Sequence, residues 1–259
     1  LDRAINMEEK DMDKPFNIVA VSDRGSVRQN NEDYFGIFDP ETDELMERRG
    51  VLAVVADGMG GHFSGSKASR AAVEVVGDAY YRESDEEAVT RLEAAVKEAN
   101  ATVFETVGEG RKGLAGTTCT AAALFPDRLH IAHVGDSRAY LVHEGKISQL
   151  TEDHSLVGEM IRRGSISKEK AMNHPRRNVI TRAVGFSGKV EIDIYEAVPI
   201  QGGDSVLLCS DGLFTMLEES EILKVASTMT PNDACAELVK LAKSKGGEDN
   251  ITIVIARRN

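Results

Sequence analysis

The sequence predicts an α+β layered domain, with antiparallel sheets inside and helices outside. Three observations lead there. Strand-like and helix-like stretches come in blocks rather than in regular βα alternation. Four of the strands follow one another at the short spacing of a meander. The two longest helical stretches each carry a single apolar stripe.

Each element has its own signal. Residues 16–22 (FNIVAVS) and 34–39 (YFGIFD) read as strands, and 51–57 (VLAVVAD) as a third, apolar enough to be buried on both faces. The link 40–50 (PETDELMERRG) reads as a solvated loop. A helix is expected over 66–82, where Ala68, Ala71, Ala72, Val75, Val76 and Ala79 recur at three- and four-residue spacing. A second is expected over 85–107, on Ala88, Leu92, Ala95, Val96, Ala99 and Phe104. Ser84, with Glu87 three residues on, has the spacing of a capping box for it. Strands at 117–125, 128–134, 138–144 and 146–151 follow, with Pro126–Asp127 and Glu144–Gly145 at two of the turns. Residues 152–178 are polar and irregular, with a short helix near 155–163; so long a segment between core elements is more often functional than idle. Strands at 190–198 and 205–211, helices at 218–228 and 231–245 and a strand at 250–257 complete the pattern. There is no internal repeat, low-complexity tract or linker, so a single domain over 15–259 follows a polar N-terminal segment, 1–14.

Composition narrows the class. The 259 residues are 41% hydrophobic and 29% charged, ordinary for a soluble globular chain. The net charge of -12 opposes non-specific nucleic-acid binding, which needs clustered Lys and Arg. Some of the excess acid has a second reading, as carboxylate neutralised by bound cations. Cys119, Cys209 and Cys235 are far apart and odd in number, which argues against a disulfide framework and thiolate zinc sites and suits a reducing, cytoplasmic setting. Cys119 and Cys209 lie in apolar runs and read as core residues. No apolar run approaches the length of a membrane span, and the first fourteen residues are too polar for a signal peptide. The chain opens on Leu1 rather than Met, as a piece of a longer protein would.

The chemistry gathers at strand ends. Asp33 closes "NNED" just before a strand, and Asp57 ends the buried strand ahead of "GMGGH". Asp136 lies in the turn "HVGDSR", Asp211 ends "SVLLCSD", and Asp249 opens the last strand in "GGEDN". Each alone reads as a common turn aspartate. Together, with glycines that admit close backbone approach, they form what a hard-cation site needs, because magnesium and manganese favour carboxylate, carbonyl and water ligands. Arg28 lies four residues before Glu32, so a cation and an acid pair share one short segment.

"SVRQNNED", "ADGMGGH", "AGTT", "VGDSRAYL", "LTEDHSLV", "HPRRNVITRAVG", "LCSDGL" and "GGEDNIT" occur in this order over 22–252. In this the chain resembles the metal-dependent protein phosphatase family (PPM, protein phosphatase type 2C), in its compact bacterial form. The resemblance implies a four-layer αββα sandwich, two central antiparallel β-sheets flanked by helices. It implies two Mn2+ or Mg2+ ions and a water activated between them. Carried over, Asp57 bridges both ions and the Gly58 carbonyl binds one. Asp211 and Asp249 bind the other, while Asp33 and Glu32 bind or orient metal-bound water. A third, weaker ion is implied at Asp136 and Asp211. Arg28 matches the arginine that grips the substrate phosphate, through paired N–H donors. Arg24 reads as structural.

His62 keeps two readings, general acid and structural support. In better-known eukaryotic members the histidine directly follows the Asp-Gly; here Met59 stands there and His62 comes three residues later. His130, His133, His143, His154 and His174 read as structural or solvated. Residues 155–178 match the family's variable flap, and its Arg162, Arg163, Arg176 and Arg177 read either as solvated or as guides for phosphopeptides. The resemblance implies phosphoprotein substrates, a cognate Ser/Thr kinase as partner, and a monomer. Two other readings stand beside it: a family member dedicated to one regulatory phosphoprotein of a sporulation or stress circuit, and a non-catalytic binding module. A two-metal nuclease is opposed by the net charge and by the lack of a basic aromatic groove.

Overall fold

The computed structural model describes residues 1–6, 14–40, 42–60, 64–106, 115–167, 170–171 and 174–259. Alternation along single strands builds four layers. In β2 (Phe16–Asp23), Ile18 and Ala20 face one apolar cluster while Val19 and Val21 face another. In β4 (Val51–Met59), Val51, Ala53 and Val55 join the first of these, and Leu52, Val54 and Ala56 a third. A strand apolar on both faces needs cover on both, and here one face meets another sheet and the other meets helices.

The first sheet runs β1 (Arg3–Asn6), β2, β12 (Ile251–Arg258), β11 (Ser205–Cys209), β8 (Arg138–His143), β9 (Lys146–Gln149). The second runs β10 (Asp193–Pro199), β7 (Arg128–Val134), β6 (Cys119–Leu124), β4, β3 (Asp33–Phe38), with β5 (Gly116–Thr117) attached to β4. All pairings are antiparallel. Two long helices, α2 (Ser64–Tyr81) and α3 (Ala88–Thr106), cover the second sheet with the small residues Ala68, Ala72, Ala95 and Ala99. On the outer face of the first sheet lie α5 (Asp211–Phe214), α6 (Glu219–Thr228) and α7 (Pro231–Ser244), through Leu213, Ile222 and Leu238. The four-layer αββα sandwich is therefore the observed fold. All three cysteines are buried free thiols.

Four local expectations are corrected. The strands between 117 and 151 do not form one meander: β6 pairs with β7 in the second sheet, and β8 with β9 in the first. The link 40–50 is not all loop: Asp43–Arg49 forms a helix, α1, capped by Thr42, whose side chain accepts from the Leu45 N–H. Acidic residues in its first turn and arginines in its last complement the helix dipole. Ser84 does not cap α3, which starts at Ala88; its hydroxyl accepts from the Glu86 N–H in the preceding turn. The strand expected from 190 starts at Asp193 and carries a bulge between Tyr195 and Val198. Within the N-terminal segment, Arg3–Asn6 adds an edge strand on β2. Residues 155–178 include α4 (Leu156–Arg162), capped by Ser155.

At the start of β4 two arginines are buried, Arg49 and Arg91, each 5% exposed. Arg49 donates to the Tyr81 carbonyl, and Arg91 to the Arg48 carbonyl at 3.1 Å. Tyr80 returns a hydrogen bond to the Arg49 carbonyl at 2.6 Å, and its ring centroid lies 5.4 Å from the Arg91 guanidinium. A cavity of about 360 Å³ opens at this end, with Glu47, Arg48, Glu87, Arg91, Arg128 and His130 in its wall.

Candidate metal centre

The register brings the acids to the other end of both sheets. Asp33, first residue of β3, lies directly across from Asp57 near the end of β4. Cys119 of β6 pairs with Val134, so β7 ends on the same side, and the turn after it carries Asp136. In the first sheet Cys209 pairs with Ile253 and Ile251 with Asp23. That places Asp211, just past β11, and Asp249, just before β12, at that end too.

Each acid is held by its backbone or a neighbour. The Asp57 N–H donates to Thr118 Oγ1 at 2.8 Å, and Thr118 Oγ1 meets Ser137 Oγ at 2.7 Å, tying the Asp57 strand to the Asp136 turn. Thr117 Oγ1 donates to the Asp57 carbonyl at 2.9 Å. Ser210 Oγ donates to Asp33 Oδ2 at 2.7 Å and accepts from the Thr252 N–H at 3.0 Å, a link between the two sheets. The Gly58 N–H donates to the Glu32 carbonyl at 3.2 Å. A Cβ at Gly58 would lie 2.2 Å from the Gly65 carbonyl oxygen, and one at Gly65 would lie 2.7 Å from Glu32 Oε2. Only glycines allow the end of β4, the start of α2 and Glu32 to pack this closely.

Arg28 is half-exposed, and its Nη2 donates to Asp249 Oδ2 at 2.6 Å. It stands on an arch, 24–30, that leans on the segment before β12. Gly25 has φ +79, and a Cβ there would lie 2.2 Å from the Asp249 carbonyl oxygen. Arg24 Nη1 donates to the Gln29 carbonyl at 3.2 Å, a contact within the arch.

The electrostatics mark the cluster. Burial, opposed in part by the Ser210 hydrogen bond, pushes Asp33 up to about 6. Burial first, then the charge of Asp153, pushes Asp136 up to about 7. Asp57 is driven well above the carboxylate range by burial and then by Asp33, Asp211, Asp136 and Asp249. Asp211 is driven the same way by burial and then by Asp136, Asp249 and Asp33, with Arg28 opposing. Repulsion and desolvation of this kind are relieved by protons or by cations.

The donor set fits hard divalent ions. Asp33 Oδ1, Asp136 Oδ1 and Asp211 Oδ1 are buried oxygens with no hydrogen-bond partner. Such atoms are costly unless something fills their lone pairs. Among the described residues, no three His, Cys, Asp or Glu side chains close into a ready cage. Magnesium-like ions keep several waters and take one or two carboxylates each, so a closed cage of side chains is not required.

Of the expected site residues, Asp33, Asp57, Asp136, Asp211 and Asp249 form one electrostatic cluster with Arg28 at its edge. Glu32 and Gly58 are adjoining through their backbones. His62 lies outside the described residues. The other histidines have structural partners. His143 pairs with Asp204, His133 with Thr120 and the Glu152 carbonyl, and His154 with Asp193 and the Gly135 N–H. His130 accepts from the Ala197 N–H and His174 from the Arg176 N–H. In the flap, Arg162 pairs with Glu152, Arg163 with Glu159, and Arg177 lies 3.8 Å from Glu248, next to Asp249. Sequence reasoning passed over Thr118, Ser210 and Asn250. Each stands inside a quoted stretch, AGTT, LCSDGL or GGEDNIT, and that was the only signal.

The family model for protein phosphatase 2C matches residues 25–243. The chain is 42% identical over 245 residues to the serine/threonine phosphatase stp of Listeria innocua, covering 92% of this chain and 94% of that one. The structure of the Mycobacterium tuberculosis serine/threonine phosphatase PstP/Ppp superposes with a TM-score of 0.83 at 34% identity, over 94% of this chain and 99% of that one. The catalytic domain of PstP in complex with two manganese ions superposes with a TM-score of 0.80 at 33% identity, over 93% of this chain and 97% of that one.

Proposed function

The chain belongs to the protein phosphatase 2C family, and from that premise we propose how its own residues carry the activity. It is a metal-dependent serine/threonine phosphoprotein phosphatase with a binuclear metal centre, and phosphoproteins are its substrate class. The observation that carries the assignment of residues is the set of three buried carboxylate oxygens without partners, on Asp33, Asp136 and Asp211, at the meeting end of the two sheets. Asp57, the Gly58 carbonyl, Asp211 and Asp249 would hold two Mn2+ or Mg2+ ions. Asp33 and Glu32 would hold the waters around them. Asp136 and Asp211 would hold a third.

Divalent ions held there would lower the pKa of a bound water and neutralise charge on phosphoryl oxygens. The protein does the rest by position. Thr118 and Ser137 fix Asp57 relative to Asp136, and Ser210 fixes Asp33 relative to β12. Arg28 stands exposed at the edge of the acids, where its guanidinium can exchange the Asp249 carboxylate for a substrate phosphate. The partner upstream is a Ser/Thr kinase whose product this enzyme hydrolyses. No helix among the described residues is long and apolar enough to cross a membrane.

The test is hydrolysis of p-nitrophenyl phosphate and a phosphothreonine peptide with Mn2+, with Mg2+ and with EDTA, for the parent and Asp211→Ala. Metal-dependent turnover that collapses in the variant supports both reaction and ligands. Turnover of the small ester alone would point to a single dedicated phosphoprotein. Folded protein without turnover under any metal would sink the assignment.

A further inference from the structure

Arg28 sits on an arch that buries almost nothing. Val27 beside it is 66% exposed, and the arginine itself is half-exposed. An exposed loop without apolar anchors is mobile unless hydrogen bonds fix it. One attachment is the Ser26 N–H donating to the Gly247 carbonyl at 2.8 Å. At its near foot the buried Gly25 donates its N–H to Asp23 Oδ1 at 2.9 Å, and Arg28 itself reaches Asp249. The two feet are joined by one further side chain, Asn250, which is 5% exposed.

Asn250 Nδ2 donates to the Arg24 carbonyl and to the Asn30 carbonyl, both at 3.0 Å. Its Oδ1 accepts from the Glu32 N–H at 2.8 Å. The orientation of the amide is fixed by this pattern. Flipped, it would set its NH2 against an N–H and its oxygen against two carbonyls. Arg24 and Asn30 are the two feet of the arch, and both rest on the two hydrogens of one nitrogen. One buried nitrogen thus holds both feet, while the exposed Arg24 side chain makes a second tie to Gln29, and Asn250 itself stands at the start of β12.

We propose that Asn250 is the positioning residue for Arg28. By closing the arch at its base it sets where the guanidinium stands, and so how strongly a phosphate is gripped. Asn250 acts through the backbones of Arg24, Asn30 and Glu32, without touching the phosphate. The inference rests on the reading of Arg28 as the phosphate clamp.

A double-mutant cycle of Asn250→Ala and Arg28→Ala tests it, with p-nitrophenyl phosphate as substrate at saturating Mn2+ and inorganic phosphate as competitive inhibitor. Misplacing a substrate-holding group by about 1 Å costs roughly 10- to 100-fold, so that is the expected fall in kcat/KM for Asn250→Ala. The loss should appear in KM and in weaker phosphate inhibition more than in kcat. In the Arg28→Ala background the same substitution should cost less than about threefold, because the group it positions is gone. Mn2+ affinity by calorimetry should stay within about threefold of the parent in all variants. An equal loss in both backgrounds would assign Asn250 to general stability or to the ions and overturn the proposal. Parent-like kcat/KM and phosphate inhibition in Arg28→Ala alone would remove the clamp reading, a failure visible without the cycle. Should Asn250→Ala not fold, Asn250→Ser, which keeps one hydroxyl donor, enters the same cycle with a smaller loss expected in the same direction.

Discussion

The two ends of β4 bury opposite charges in opposite ways. At its start, Arg49 and Arg91 reach backbone carbonyls, and Arg91 also lies near the Tyr80 ring. At its finish, Asp33, Asp57, Asp136 and Asp211 crowd one another, and three of them leave a buried oxygen without a partner. A long guanidinium can spread its charge over carbonyls and an aromatic face supplied by the protein. Short carboxylates that face each other cannot, and only protons or cations complete them. Arg49 and Arg91 each leave a buried Nε without a partner, yet each guanidinium also reaches a chain carbonyl, while the crowded carboxylates are relieved by protons or cations. The difference also separates volume from chemistry, since the cavity of about 360 Å³ lies at the arginine end.

Removing an acid is the harshest way to break this contrast. Asp211→Ala is expected to lower kcat/KM about 10³-fold, or about 4 kcal/mol of transition-state stabilisation. In EDTA at neutral pH the same variant should melt higher than the parent, because an uncompensated buried carboxylate is gone. A lower Tm there would mean that protein contacts alone stabilise Asp211.

Metal comes next in size. At a free Mn2+ concentration of a hundred times Kd, linkage gives about 2.7 kcal/mol per site, read as a rise in Tm over EDTA. Arg91→Ala should keep that increment, since its charge lies at the opposite end of β4 from the acids. A variant that lost it would show that the two ends are coupled.

The acid end also carries a pH signature. Asp33 and Asp136 rise from 3.8 to about 6 and about 7 on folding. A raised carboxylate pKa contributes stability that is full below 3.8 and is lost as pH climbs through the folded value. Metal-free parent should therefore lose Tm relative to Asp136→Asn between about pH 4 and pH 7, while Mn2+ affinity, which competes with protons, should rise. A flat difference between parent and Asp136→Asn would deny the shift.

Arg91→Ala is the mildest test. Losing its hydrogen bond to the Arg48 carbonyl and its buried stem should cost about 2 kcal/mol in urea unfolding. Activity per folded molecule should stay at the parent value.

Much of this was legible from the chain itself. Strands announced themselves by alternation or by apolar runs, and the acids stood at their ends. Three kinds of feature were not. The helix 43–49 is a two-turn element whose sequence, DELMERR, is nearly all charge; Met46 is its one apolar residue against the core and Arg49 its one buried residue, too little to give a period. Burial of Arg49 and Arg91 has no sequence signal, because arginines are ordinarily exposed. Asn250 matters through carbonyls 226 and 220 residues away, and such a partnership exists only once the fold has formed.

The position of β12 has a kinetic consequence. Residues 251–258 pair along their whole length with β2, residues 16–23, and lie between β2 and β11. Closing a loop of that size comes before any reward from the contacts it makes, and topologies dominated by such pairings fold slowly. During synthesis, the first sheet remains open at its middle until its last strand emerges. Asp249, at the head of that strand, is thus the final acid to arrive. Completion of the sheet and assembly of the metal-binding end are one event in the life of the chain.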